Sequence, residues 1–509
     1  AHRGDGGERV TGAPDGRRPD LLVVVLDCVR ASDFAGGREA VSPMPFAESL
    51  LRESVHFPRA ASVAPWTIPS HASLFTGRYP WENGVHMLKE LRLEPSVPTL
   101  AGYLGRAGYA SFSASANGFI CPDLGLTNGF ESSTWGDWWE RYLRLPTREL
   151  PPRAENFGPT QRLPSGPQWN ALEETAWNFH RFPVLIETLN RLVQQVRYRD
   201  DPNRLAVSPW IERTVRRWIG GRPKDQPTFT FVNFLDAHEP YLTDPMVVHH
   251  LGEWRRLTSV RMDRTSILAG NWTPTPREFQ VLHDLYRAMV HFLDRRIAEL
   301  VQVYKDAGRW ENTAMVLTAD HGQAFGEHGH LFHGQRLWEP LLRIPLIYRP
   351  PGGLPSGRVA KGWASLVDIA PTFMGLAGED ATGLFPSAYP LTDAVDGPRR
   401  QPVLAMADGI HQKTMVLTIA KKDRIADWDR RFIAVYDGDQ KLVYDTTLEQ
   451  FRAFDLLADP GEATDIYPAR TAAFEEMKHA ALDATRKMTS SVSSESAEVT
   501  GRLKSWGYL

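Results

Sequence analysis

Leu21-Leu-Val-Val-Val-Leu-Asp27 is the stretch on which the fold turns. Six apolar residues, three of them β-branched, have the length and composition of a strand buried on both faces. A carboxylate follows at once, and at the end of a buried strand it costs free energy unless it is paired or metal-bound. Similar runs recur at 228–235, 313–318 and 344–348, β-branched or aromatic-rich and flanked by polar residues. Helical periodicity separates them. It is clearest over Glu278–Tyr304, where Val281, Leu285, Met289, Phe292, Leu293, Ile297, Leu300 and Val301 share one face. Strands alternating with helices predict an α/β domain whose mostly parallel sheet is covered on both sides. Such sheets bind ligands at the carboxyl ends of their strands. Asp27, Asp236 and Asp320 all stand just beyond those ends.

Working outward, the 509 residues exceed one average domain, and 42% hydrophobic with 23% charged residues is an ordinary globular balance. A net charge of −3 argues against a nucleic-acid partner but leaves room for a local basic pocket facing a small anionic substrate. Cys28 and Cys121 are the only cysteines, so there is no disulfide framework and no zinc-finger spacing. No run approaches the roughly 20 apolar residues of a membrane span. Ala1-His-Arg-Gly-Asp-Gly-Gly does not read as a signal peptide. A cytoplasmic location is the expectation, although a leader removed from the mature chain remains compatible.

Residues 1–19, rich in Gly, Arg and Asp, have the composition of a disordered tail. The catalytic α/β domain is expected over 20–399. Within it, 131–227 holds seven of the sixteen Trp and reads as a helical insertion, either a cover over the sheet or a substrate-shaping lid. Residues 400–509 predict an α+β subdomain. Val403–Ala407, Lys413–Ile419, Phe432–Tyr436 and Lys441–Tyr444 suggest an antiparallel meander with a turn at Asp437-Gly438-Asp439, then a helix at about 471–488.

Met315-Val-Leu-Thr-Ala-Asp320-His321-Gly322 repeats the strand-end carboxylate and adds an imidazole, with Gly322 expected to allow a sharp turn. Asp27, Asp320 and His321 make an O/O/N set for a divalent cation; zinc, manganese, magnesium and calcium all suit it. In Trp66-Thr67-Ile-Pro69-Ser-His71, Pro69 suits a first helical turn, so Thr67 stands where the positive helix end faces an anion. A metal and that helix end can turn a threonine hydroxyl into a nucleophile; the competing role is an N-cap. His238 follows another strand, and His328, His330 and His333 cluster after Asp320. Of these, His238 and His333 suit leaving-group protonation. Asn117, past the apolar segment 111–116, either donates its amide to a substrate oxygen or is a turn residue before Gly118.

Taken together, these motifs resemble the sulfatase branch of the alkaline phosphatase superfamily. The resemblance is carried by Leu26-Asp-Cys-Val-Arg30, Pro69-Ser-His-Ala-Ser-Leu-Phe-Thr-Gly-Arg-Tyr-Pro80, Asp236-Ala-His-Glu-Pro-Tyr241 and Asp320-His-Gly322, with Leu337–Leu346, Leu366–Thr372 and Phe454–Glu462 further on. It implies an alkaline-phosphatase-like sheet, mixed but mostly parallel, with helices on both faces, and a smaller C-terminal domain with an antiparallel sheet and a helix. It implies Asp27, Thr67, Asp320 and His321 as ligands of one metal. A second ion, the less favoured case, would recruit Asp236, His238 and His333.

Three departures from the family pattern matter. Thr67 stands where sulfatases carry the Cys or Ser that becomes formylglycine, and its β-methyl forbids an aldehyde. His71 replaces the motif's Arg and is expected near the substrate, as is Asn117 at the position of an active-site Lys. Cys28 replaces a second Asp. A threonine nucleophile resembles instead the phospho-acting relatives. The expectation is therefore a metal-dependent phosphoesterase or phosphotransferase acting on a phosphodiester or phosphonate monoester. The alternatives are a sulfuryl-ester enzyme and a non-catalytic relative that binds an anion or a partner.

Overall fold

The computed structural model describes residues 17–34, 42–86, 91–136, 209–239, 241, 273–397, 399, 401–408 and 430–490. The expected tail falls largely, and the 131–227 insertion mostly, outside the described residues. So does the expected strand Lys413–Ile419.

In chain order the strands of the first part are β1 (Asp20–Leu26), β2 (Val55–His56), β3 (Ala60–Ala61), β4 (Ala110–Ser115), β5 (Ser132–Trp135) and β6 (Thr228–Phe234). They continue with β7 (Thr313–Thr318), β8 (Ala324–Phe325), β9 (Leu331–Phe332), β10 (Leu346–Arg349), β11 (Arg358–Val359) and β12 (Ala364–Ser365). The last four are β13 (Val403–Ala407), β14 (Phe432–Asp437), β15 (Gln440–Asp445) and β16 (Gln450–Asp455).

The main sheet has eight strands in the order β11-β2-β10-β7-β1-β6-β4-β5. β1 is central, wholly buried and parallel to both neighbours, with Leu26 level with Phe234 of β6 and Val25 level with Thr318 of β7. β4 and β5 continue the parallel run. The 344–348 run, grouped by its apolarity with the parallel strands, forms β10 and pairs antiparallel with both β7 and β2. Apolarity reports burial on both faces and carries no strand direction. The long helix Pro276–Asp306 covers the sheet, opened by a Thr275/Glu278 capping box. All eight residues assigned to its apolar face are buried.

A four-stranded antiparallel sheet, β13-β14-β15-β16, forms the smaller unit, followed by the helix Glu475–Ser490. β14 and β15 close as a hairpin over Gly438 and Asp439, with Gly438 at φ 54°, so the expected turn is present. β16 was not anticipated from the sequence; it stands at the sheet edge, where only β15 pairs with it.

The two units are joined by a buried ionic cluster. Lys441 of β15 is fully buried, 2.6 Å from Glu462 Oε1 and 3.1 Å from Glu339 Oε1, and it also donates to the Leu337 carbonyl. Tyr436 donates to Glu339 at 2.8 Å, and the Glu339 N–H donates to Glu462 Oε2 at 2.7 Å. Replacing Lys441 by Met leaves two buried carboxylates short of positive charge. The expected cost is ~3–5 kcal/mol, read by denaturant unfolding as a lower midpoint at unchanged slope.

Candidate active site

Register brings the functional groups together. Because β1, β4, β6 and β7 run parallel, the residues just past their ends meet at one edge: Asp27, Asn117, the 236–241 segment and Asp320-His321. The helix Thr67–Thr76, buried along all ten residues, points its N-terminus at that edge. Ser62 fastens this helix in place, donating to the Asp320 carbonyl and lying 3.1 Å from Ser70 Oγ. Trp66 occupies the N-cap position and makes no side-chain cap, while Thr67 is the first helical residue. Its hydroxyl is therefore not the cap of this helix.

Three oxygens converge on one imidazole nitrogen. From His321 Nε2 the distances are 3.4 Å to Asp320 Oδ2, 3.5 Å to Thr67 Oγ1 and 3.9 Å to Asp27 Oδ1. His321 Nδ1 donates to the Gly322 carbonyl at 2.9 Å, which leaves Nε2 as the bare acceptor. Asp320 Oδ1 accepts the Cys28 and His321 backbone N–H groups, at 3.2 and 2.9 Å. Its Oδ2 is buried and accepts no hydrogen bond among the described residues. An unpartnered carboxylate oxygen facing a bare ring nitrogen is acceptor against acceptor, an arrangement that a cation between them resolves. The donor set thus fits a divalent metal held by Asp27, Thr67, Asp320 and His321.

Burial lifts the Asp320 carboxyl to about 7. Asp27 is also raised, first by burial and then by the Asp320 charge. Burial lowers His321 as well.

Gly322 is required for a different reason from the one expected. It is not in the left-handed region; an added Cβ would sit 2.0 Å from the Pro340 carbonyl oxygen, so glycine permits close backbone approach. Cys28 does take a left-handed conformation, φ 65°. Its turn is clamped by Tyr286 of the long helix, whose hydroxyl donates to the Cys28 carbonyl at 3.0 Å and accepts the Arg30 N–H at 2.9 Å.

Asn117 donates to Asp27 Oδ2 at 2.8 Å, while its Oδ1 accepts the Phe119 N–H at 3.0 Å. Here it serves as a turn residue and steadies a metal-type ligand. His71 is fully buried behind Thr67. Its Nδ1 donates to the Thr67 carbonyl at 2.9 Å, its ring stands edge-on to Phe231, and burial pushes its imidazole down to about 3. Its Nδ1 also lies 3.6 Å from Asp320 Oδ2, so the ring packs directly behind the cluster. His328 stacks on Trp338 with ring centroids 3.7 Å apart.

His238 and His333 do meet, with ring centroids 5.0 Å apart, and His333 lies 4.5 Å from the His321 ring. Their companions are Cys28 and Glu239; Cys28 also groups with Asp27 and His321, whereas Asp236 and Asp320 belong to neither of these two groups among the described residues. Gln323 and Glu239 were missed in the sequence. The β8–β9 ladder, Ala324 level with Phe332, brings Gln323 beside His333, and Gln323 Oε1 accepts from His333 Nδ1 at 2.7 Å. Gln323 Nε2 reaches Glu239 Oε2 and the Tyr241 hydroxyl, both at 2.8 Å. Proximity to the Asp-His pair was the available signal; a hairpin of two-residue strands left no other.

The sulfatase family's sequence model matches residues 19–379. A choline-sulfatase from Rhizobium meliloti (strain 1021) is 24% identical over 464 residues, which is 88% of this chain and 82% of that protein. Among solved structures, a phosphonate monoester hydrolase from Silicibacter pomeroyi superposes with a TM-score of 0.62 at 17% identity, covering 92% of this chain and 95% of that one. A phosphonate monoester hydrolase of Agrobacterium radiobacter gives 0.60 at 18%, covering 93% and 95%. These superpositions match the fold described above.

Asn117→Ala removes the amide that steadies Asp27. Divalent-metal affinity, titrated calorimetrically, is expected to fall ~10–100-fold, the scale of losing an outer partner of a ligand, with the fold retained by circular dichroism.

Proposed function

The chain belongs to the sulfatase family, and from that premise we propose that it is a metal-dependent phosphoesterase or phosphotransferase whose nucleophile is Thr67. One observation carries the reading. An unmodified secondary alcohol opens the helix Thr67–Thr76, with its oxygen 3.5 Å from His321 Nε2 and within the carboxylate–imidazole cluster. A threonine cannot yield the aldehyde on which the family's sulfate chemistry depends, because its β-carbon carries a methyl group. Phosphonate monoester hydrolases share this fold, so phosphoryl chemistry is within its reach.

A divalent cation held by Asp27, Thr67, Asp320 and His321 would favour the ionised Thr67 hydroxyl and draw negative charge from the phosphoryl oxygens. The protein's own part follows from its geometry. Free N–H groups of the first turn face a bound anion. Thr67 Oγ1, its proton given up to solvent, attacks phosphorus, the bond to the leaving oxygen breaks, and that oxygen takes a proton from His333 or His238. The Gln323 contact fixes the His333 ring for this task. Water or an acceptor alcohol then attacks the phosphothreonine, and Thr67 is released.

A sulfuryl-ester hydrolase is the second reading, favoured by the sequence similarity to a choline-sulfatase. It would require Thr67 to act directly on sulfur. Parallel turnover of an aryl phosphonate, a phosphodiester and an aryl sulfate separates the two, and the expected order puts the sulfate last.

Thr67→Ala is expected to keep most of its bound metal and to lose turnover on the order of 10⁴–10⁶-fold, the scale of deleting a covalent nucleophile. In the wild type, acid quenching during turnover should leave the substrate's phosphonyl or phosphoryl-ester group on the peptide that contains Thr67, detected by mass. Full activity in Thr67→Ala would overturn the assignment.

A further inference from the structure

We infer that Cys28, His238, Glu239 and His333 form a second metal site, of soft character, that takes zinc beside the oxygen-rich Asp27–Asp320–His321 cluster. The four donors can each offer a ligand atom within 4.8 Å of the others, and all but His238 are buried. Cys28 Sγ lies 3.6 Å from His333 Nδ1. Glu239 Oε2 lies 3.7 Å from His238 Nδ1 and 3.8 Å from His333 Nδ1. A tetrahedral zinc with bonds of ~2.3 Å to sulfur and ~2.0–2.1 Å to nitrogen or oxygen sets its ligand atoms about 3.3–3.6 Å apart. These three spacings sit at or just above that range and the other three lie within 4.8 Å, so the donors must contract to complete the cage.

The two sites adjoin at Cys28, whose thiol donates to Asp27 Oδ1 at 3.3 Å and which can group with Asp27 and His321 as well as with His238, Glu239 and His333. His321 Nε2 faces Asp27, Thr67 and Asp320, whereas Cys28 Sγ lies 3.8 Å from its Nδ1, which is engaged by the Gly322 carbonyl. Donor chemistry is what distinguishes them. One thiolate, two imidazoles and one carboxylate select zinc or a similarly thiophilic ion, whereas two carboxylates, a hydroxyl and one imidazole also admit harder cations.

The donors are held in place rather than merely near. Cys28 sits at φ 65° under the Tyr286 clamp, and Phe332, which presents His333, sits at φ 71°. Two non-glycine residues in the left-handed region, one a donor and one next to a donor, form a strained arrangement of the kind that gathers at functional sites. Gln323 binds Glu239 from outside, as an outer partner of a ligand does. On binding, the Cys28 thiol proton passes to solvent, His333 exchanges its Gln323 contact for a metal–nitrogen bond, and His238 Nδ1 gives up its 2.6 Å contact with the Glu239 carbonyl for another. With both imidazoles on an ion, neither can carry a proton to a leaving group. Occupancy of this site should therefore suppress turnover, a consequence that rests on the function proposed above, whereas the site itself does not.

The test is cobalt(II) titration of the metal-stripped full chain, followed by absorption and by metal analysis after gel filtration, and repeated with zinc(II). Two equivalents are expected, one of them bringing a thiolate-to-cobalt charge-transfer band in the near ultraviolet that zinc displaces. Cys28→Ser should lose the band and one equivalent, and Glu239→Gln should weaken the band-forming step at least ~10-fold, the lower scale seen even for an outer partner. A single equivalent overturns the proposal, whether it lacks the band or carries it, since the latter assigns Cys28 to the first ion. A band that survives in Cys28→Ser overturns it equally. If that variant does not fold, the wild-type stoichiometry and Glu239→Gln decide. Thr67→Ala should keep the band, so the nucleophile assignment and this site fail separately.

Discussion

Two carboxylates packed at the ends of neighbouring parallel strands need positive charge close by, and the protein supplies little of its own. Asp27 and Asp320 are both fully buried. Burial raises both carboxyls, while it lowers the imidazoles of His71 and His321. The side chains around them therefore resist charging in either direction. One oxygen, Asp320 Oδ2, accepts no hydrogen bond among the described residues. In a low-dielectric interior such a centre is costly as it stands and becomes favourable once a cation enters. Much of the surrounding architecture can be read as fixing these groups before that happens.

That fixing is done by backbone and by outer partners. Asp320 is held by two N–H groups, Asp27 by the Asn117 amide and His321 by the carbonyl of Gly322. The close approach of Gly322 to Pro340 keeps the Asp-His turn against the segment that leads into Glu339, and Glu339 belongs to the Lys441 cluster. A continuous set of contacts thus joins the C-terminal sheet to the turn bearing Asp320 and His321. Deleting a buried charge in that cluster strains the same stretch of chain that positions the site.

A second layer of polar groups lies on the far side of the His321 ring. Gln323 ties His333, Glu239 and Tyr241 into one network, and Cys28 reaches it from the strained turn after β1. The left-handed residues at positions 28 and 332 bracket this network. Strain kept at such turns is tolerated only where the surroundings over-determine it, and the Tyr286 clamp and the β8–β9 ladder do so here.

Patterning along the chain is enough to place the central parallel strands and to set Asp27, Asp320 and His321 at their ends. Runs apolar on both faces announce strands wrapped by helices, and a carboxylate following such a run stands at the ligand-binding edge whatever the details of packing. That logic reaches Asp27, Asp320 and His321, and Thr67 through the proline that follows it. The remainder depended on packing between distant segments. The direction of β10 depends on a pairing that apolarity does not encode. Asn117 turned toward Asp27, and His71 toward Phe231 and Asp320, because of neighbours far away in the chain. Gln323 met His333, and Cys28 met Glu239, through the register of two-residue strands and a single left-handed turn. Periodic patterning reports how a segment is buried, whereas contacts between short irregular segments arise only once the whole chain is packed.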